Sequence, residues 1–311
     1  MAPGRACVDP GALFAAHGRQ WARELRDWQR TALRCPVAAP RVEGGDGGAP
    51  RGGDVAVGDS IVEREVAVRA RTAVACVAVL LASAVFVDTL VRHGGVPYYF
   101  IWLTNWTGMA TAVYAVLAAR VAREAYKRRD SLYGAEQEDG VPALMVEERS
   151  ARDGEESVPL MVRVLWCTKA IVPVAQCFIT LMFWGLLFRP GMMNGSTVIA
   201  HGGLFALVCV DFLLLNRLTF STLIDVCIVY AYAIVYLVFN VVYTVTPGAT
   251  DHNGNEWVYG IMKWNSEPGT AGIVVGASLL CVLPLCYGTM CGLTRLRDRR
   301  WFPVSGGEVE Q

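Results

Sequence analysis

Residues 72–91 read TAVACVAVLLASAVFVDTLV, a run of 20 residues in which Asp88 is the only charged side chain. A run of this length and composition is typical of a helix that crosses the hydrocarbon core of a membrane, because about 20 helical residues at 1.5 Å each span about 30 Å. Comparable runs recur at about 98–118, 164–188, 197–215, 219–245 and 270–291. We therefore predict an all-α, multi-pass membrane protein, built as a bundle of six transmembrane helices.

The basic residues predict which side of the membrane each loop faces. If both termini are cytoplasmic, the inner segments hold 24 of the 28 Lys and Arg residues, and the outer loops hold three. This asymmetry follows the positive-inside rule, so we predict that both termini are cytoplasmic. The first 20 residues lack the pattern of a cleavable signal peptide, and we expect the first span to act as the insertion signal.

This topology divides the chain into three parts. Residues 1–71 form a cytoplasmic N-terminal region, 72–292 the six-span membrane domain, and 293–311 a cytoplasmic tail. At 13–34, apolar side chains at helical spacing are flanked by arginines, which favours an amphipathic helix on the inner membrane face, although a disordered tail is the alternative. Residues 36–60 are rich in Gly, Pro and Ala, and we expect disorder there.

The composition also limits the classes of partner and cofactor. The 28 basic and 28 acidic residues give a net charge of zero, which provides no basis for nucleic-acid binding. The spacing of Cys281, Cys286 and Cys291, with no histidine nearby, does not suit a zinc site, so we expect no metal and no cofactor. The expected partner is membrane lipid, in the plasma membrane or an endomembrane.

Polar side chains inside a membrane are costly, and each suggests a function. Counted from the outer ends of their spans, Thr104 lies about 9 Å deep, His201 about 6 Å and Asp88 about 4–5 Å. A threonine beside a histidine base is a candidate nucleophile; Asp88 would orient the ring, and Asn105 or Asn240 would donate to an oxyanion. In the structural alternative, the threonine bonds a carbonyl one turn back and the histidine bridges helices.

A second set of ionisable residues lies near the inner ends of the spans. Lys169, Asp211 and Asp225 are at similar depth on three different spans. Because paired charges inside a membrane neutralise one another, we predict that these three residues form a structural charge cluster.

Two stretches of the sequence resemble one known family. Residues 99–106 read YFIWLTNW, and the last outer loop contains the strings GATD at 248–251, WVY at 257–259, KW at 263–264 and PG at 268–269. These stretches are similar to the rolling stone family of multi-pass membrane proteins, and the resemblance covers about 70–295. That family is in turn similar to the androgen-induced and androgen-dependent membrane hydrolases.

The resemblance implies an activity. Those hydrolases are six-span enzymes that cleave fatty acid esters of hydroxy fatty acids with a threonine and a histidine. Leu103-Thr104 matches their Leu-Thr string, and His201, followed ten residues later by Asp211, matches their histidine and acid. Those hydrolases have a second histidine just before the matching one, whereas residues 197–200 of this sequence contain no histidine. The resemblance implies a threonine hydrolase with Thr104 and His201 as its catalytic residues.

A non-enzymatic function competes with this interpretation. Rolling stone relatives are better known for a role in muscle-cell fusion than for hydrolysis. The outer loop at 246–269 carries Trp, Tyr, Gly and Pro residues, a composition that suits an ordered contact surface for a protein partner. The second hypothesis is therefore a membrane protein that acts in cell–cell or membrane interaction.

Overall fold

The computed structural model describes residues 55–93, 95–139, 160–216, 220, 223–251 and 253–301. Every regular element within these residues is a helix. The amphipathic helix expected at 13–34 lies outside the described residues, as do residues 302–311 of the expected tail.

The helices follow in chain order, some with π-helical turns. α1 spans Val55–His93, α2 Val96–Phe100 and α3 Leu103–Asp139. α4 spans Leu160–Leu187 and ends in the π turn Phe183–Leu187. α5 spans Gly195–Leu215 and contains the π turns Ile199–Gly203 and Asp211–Leu215. α6 spans Leu223–Val245, and α7 begins at Pro268, passes through the π turn Ser278–Val282 and ends at Trp301.

Five of these helices contain a segment long and apolar enough to cross a membrane. The segments are Glu65–Arg92, Leu160–Leu187, Gly195–Leu215, Leu223–Val245 and Pro268–Asp298. α3, which holds most of the span expected at 98–118, is not among them. Its first turns carry Thr104, Asn105, Thr107 and Thr111, which lower its hydropathy, and all four are buried in the bundle. The structure thus supports five apolar spans and an α3 with a polar inner face.

The continuous helix predicted over 98–118 is wrong at its start. α2 ends at Phe100, and a new helix begins at Leu103. The break is closed by side chains, because the Asn105 amide donates to the Tyr99 carbonyl at 2.8 Å and the Trp106 indole donates to the Phe100 carbonyl at 2.5 Å. Hydropathy does not detect such a turn, since apolar residues continue through it. Thr104 is therefore in the first turn of a helix.

The stretch of expected disorder at 36–60 also ends earlier than we predicted. α1 begins at Val55, inside the stretch 36–60 where we expected disorder. The Gly/Pro-rich composition ends at about residue 53, and no proline interrupts the chain from there to the span. Without a helix breaker, the first span continues as a helix beyond the apolar run.

α3 and α4 lie at the centre of the bundle. α3 packs on α1 and α4, and α4 also packs on α5, α6 and α7. Small side chains line the contact between α1 and α3, where Ala75, Ala78, Ala115 and Ala118 are buried, which allows the close helix approach typical of membrane bundles. Near the end of α5, larger side chains such as Phe212 fill the core.

The outward faces of the helices are apolar. Leu80 is 68% exposed, Ile273 75% and Leu280 77%. Exposed side chains of this kind on long helices suit contact with lipid chains and would be unfavourable as a continuous surface in water.

Candidate active site

The candidate site begins with Thr104 at the start of α3. Amides in the first turn of a helix have no acceptor within that helix, so this end attracts negative charge. The Thr104 side chain is 9% exposed. The turn that precedes it is fixed by Asn105 and Tyr99, so the local sequence holds the hydroxyl in one place.

His201 lies near the start of α5, at the centre of the π turn Ile199–Gly203. The helix start is capped by Asn194, whose side chain accepts from the Thr197 amide at 2.9 Å. Nδ1 of His201 lies 3.0 Å from the Thr197 carbonyl oxygen. Because a carbonyl only accepts, this contact requires the proton on Nδ1 and leaves the lone pair on Nε2.

The structure brings Thr104 and His201 together. The Thr104 hydroxyl oxygen lies 3.3 Å from Nε2 of His201, and the two residues are 97 positions apart in the sequence. With Nδ1 protonated, Nε2 accepts the hydrogen bond and the threonine hydroxyl donates it. This is the contact through which a histidine base removes a hydroxyl proton.

The end of α4 holds the histidine in place. The Phe183 ring stacks on the imidazole at 3.7 Å between ring centroids, with an angle of 24° between planes. The Trp184 indole donates to the His201 carbonyl at 2.9 Å. Both aromatic residues belong to the π turn Phe183–Leu187, and π turns are frequent at functional sites because they re-aim side chains.

Nδ1 of His201 contacts the carbonyl of Thr197, and not Asp88 as we expected. Asp88 forms an ion pair with Arg92 at 2.7 Å, one turn further along α1. The difference has a chemical consequence, because a neutral carbonyl fixes the tautomer but stabilises an imidazolium less than a carboxylate does.

The two expected oxyanion donors differ in their surroundings. The Asn105 amide donates to the Tyr99 carbonyl and so closes the turn before α3. Asn240 on α6 is fully buried, and its side-chain oxygen accepts from the Trp264 indole at 3.0 Å. Its amide nitrogen has no hydrogen-bond partner in the described part of the chain. Asn240 therefore keeps a donor available.

One contact at this site was not anticipated from the sequence. Tyr259, in the loop between α6 and α7, accepts a hydrogen bond from the Leu103 amide at 3.2 Å. The sequence marks Tyr259 only as an aromatic residue of an outer loop, 156 positions away from Leu103. Burial raises the pKa of Tyr259, so its hydroxyl stays protonated at neutral pH.

The inner charged residues have separate partners. Lys169 is fully buried and pairs with Asp225 at 3.5 Å, and its ammonium also lies 4.7 Å from the centre of the Trp166 ring. Asp211 accepts a hydrogen bond from the Tyr114 hydroxyl at 2.5 Å. The residues that we predicted as one cluster therefore form an ion pair and a separate carboxylate–phenol contact.

The described residues include no group of three or more His, Cys, Asp or Glu side chains placed to hold a metal ion.

Comparison with known proteins identifies the family. A family model described as Protein rolling stone matches residues 74–305, about three quarters of the chain. Protein rolling stone of Drosophila melanogaster is 27% identical over 207 residues, which cover 64% of this chain and 67% of that protein. No solved structure shows a significant match. Together with the apolar spans, these matches establish a multi-pass membrane protein that belongs to the rolling stone family.

Proposed function

We propose that this protein is a membrane hydrolase that cleaves fatty acid esters of hydroxy fatty acids or similar lipid esters. Thr104 is the nucleophile and His201 the general base. The observation that supports this proposal is the 3.3 Å contact between the Thr104 hydroxyl and Nε2, with Nδ1 held by the Thr197 carbonyl. A structural threonine needs neither this partner nor this tautomer.

The proposed reaction has two steps, transfer of the acyl group to Thr104 and its release by water. The Thr104 oxygen attacks the ester carbonyl carbon while Nε2 takes its proton, and the carbonyl π electrons move to oxygen. When this intermediate collapses, the carbon–oxygen bond to the alcohol breaks and the imidazolium returns the proton to the leaving alcohol. Water then attacks the acyl-threonine with the same base, releasing the acid and restoring the hydroxyl. The net reaction consumes one ester and one water.

The surroundings of the pair suit a lipid substrate. Trp184 and Phe188 pack together at 4.9 Å between ring centroids beside the histidine, and Trp184 is 36% exposed. Acyl chains would reach the site along such apolar surfaces from within the membrane. Asn240, with its unpaired amide, is a candidate to stabilise the oxyanion.

Hydrolysis by the purified protein tests the proposal. We expect wild-type protein in detergent micelles to release hydroxy fatty acid from such an ester, and heat-denatured protein to release none. A folded protein that turns over no ester from a panel of differing chain lengths contradicts the proposal.

The topology is part of the same proposal: six spans with both termini cytoplasmic and the loop at 246–269 outside. We expect an epitope tag at the C-terminus to resist protease in intact cells, because 24 of 28 basic residues then face the cytoplasm. A tag inserted after Gly254, at the tip of the outer loop, is the matched control and should be cleaved. Cleavage of the C-terminal tag, with the loop tag protected, would show the opposite orientation and contradict this topology.

A second candidate function is non-enzymatic membrane or cell–cell interaction through this loop. The loop is held against α6 by the Trp264–Asn240 bond and by the Asn265 amide, which donates to the Thr244 carbonyl at 2.7 Å. Lys263 lies 5.0 Å from the centre of the Trp257 ring at the loop surface. An ordered loop of this kind suits a protein partner. If this is the function, the protein hydrolyses no ester, and only substitutions of exposed loop residues impair the interaction.

A further inference from the structure

The loop between α6 and α7 brings a phenol to the nucleophile. The Tyr259 hydroxyl oxygen lies 3.2 Å from the amide nitrogen of Leu103, the residue that precedes Thr104. Its ring packs edge-on against Trp102, with 5.3 Å between centroids. The position of the phenol is thus fixed at both its ring and its oxygen.

Attack by Thr104 leaves a negative charge on the former carbonyl oxygen, which needs donors within about 3 Å. The start of α3 adds to the field that favours a negative charge, because the positive end of a helix dipole lies at its N-terminus. The Asn105 side chain is engaged by the Tyr99 carbonyl. The Tyr259 phenol, held against the backbone next to the nucleophile, is therefore a candidate donor in addition to Asn240.

We propose that the Tyr259 hydroxyl donates a hydrogen bond to the oxyanion formed on the ester carbonyl during attack by Thr104. This inference rests on the proposed hydrolase function and adds a catalytic residue to it. The phenol keeps its proton throughout and acts as a donor, not as an acid.

The proton of the phenol supports this role. The Tyr259 oxygen accepts from the Leu103 amide at 3.2 Å, and a hydroxyl that accepts one bond still has its own proton to donate. The neighbouring phenol, Tyr236, already donates its proton to the Ile101 carbonyl at 2.8 Å. Burial keeps the pKa of Tyr259 raised, so the donor persists across the physiological range.

The test compares Tyr259→Phe with a matched control. Tyr243→Phe removes another phenol that ties the same loop to α6, through its 2.7 Å bond to the Thr250 carbonyl. In full-length protein in micelles, using a fluorogenic fatty acyl ester, we expect Tyr259→Phe to lower kcat by about 10²- to 10³-fold with little change in KM. Tyr243→Phe should keep the wild-type kcat. An unchanged kcat in Tyr259→Phe, or an equal loss in both variants, would overturn the assignment.

A second measurement tests the proposal even if the Tyr259→Phe variant misfolds. A fluorinated tyrosine placed at position 259 keeps the shape of the residue but ionises at lower pH. Because the donor is lost on ionisation, we expect activity to fall at a lower pH than in the wild type as pH rises. Coincident pH profiles would contradict the role of Tyr259. Absence of hydrolysis by the wild type would instead refute the hydrolase function itself.

Discussion

Thr104→Ala and His201→Ala are each expected to abolish lipid-ester hydrolysis, with a loss of about 10³-fold or more in kcat. The reason is the shared proton. Without the hydroxyl there is no nucleophile, and without Nε2 at 3.3 Å the hydroxyl keeps its proton and attacks poorly. Since the two side chains act as one unit, the double variant should lose little more than either single variant. The measurement is kcat for the same ester under saturating substrate.

Two control variants separate chemistry from folding. Thr104→Ser keeps a hydroxyl and should retain measurable activity. Thr107→Ala, one turn along α3, removes a hydroxyl whose partners are the Leu103 carbonyl and Tyr232, not His201. This variant should therefore keep kcat within a few fold of the wild type. Additive losses in the double variant, or equal losses at Thr104 and Thr107, would indicate that these positions act only through stability.

Lys169→Met is expected to destabilise the bundle by about 3–5 kcal/mol, because it leaves the buried Asp225 carboxylate without its cation. The double change of Lys169→Met with Asp225→Asn should be milder, since no unpaired charge remains. Thermal unfolding in the same detergent measures both.

The matched control is Lys263→Met in the outer loop. Lys263 pairs with Glu267 at 3.3 Å, but both side chains are partly exposed, and such pairs contribute about 1 kcal/mol or less. If Lys169→Met and Lys263→Met unfold at the same temperature, the buried pair is not a stabilising element.

The sequence predicts part of the candidate site. Hydropathy places Thr104 and His201 at similar depth, and the resemblance in the YFIWLTNW stretch supplies their chemistry. Burial of Lys169 with an acid also follows, because a charge inside a bundle needs an opposite charge. Depth alone groups Asp211 with Lys169 and Asp225, and the sequence does not indicate that Tyr114 is the partner of Asp211.

Other features depend on interactions that hydropathy does not contain. The break before Leu103 arises from side-chain bonds to carbonyls within an apolar stretch. The partner of Nδ1 is the backbone of Thr197, and a backbone group has no sequence signature. Tyr259 reaches Leu103 only through the fold of the outer loop. The π turn at the end of α4 and the π turn that contains His201 likewise follow from packing.

Covalent labelling of the nucleophile tests the central claim most directly. An alkyl fluorophosphonate reacts with an activated hydroxyl: the oxygen–phosphorus bond forms, fluoride leaves, and the base takes the proton. After treatment of full-length protein in micelles, mass spectrometry of the proteolytic peptides locates the adduct. We predict an adduct on Thr104 in the wild type and in Tyr243→Phe, and its loss in His201→Ala. An adduct on a different residue, or an unmodified Thr104 in a protein that hydrolyses the ester, would contradict the Thr104–His201 mechanism.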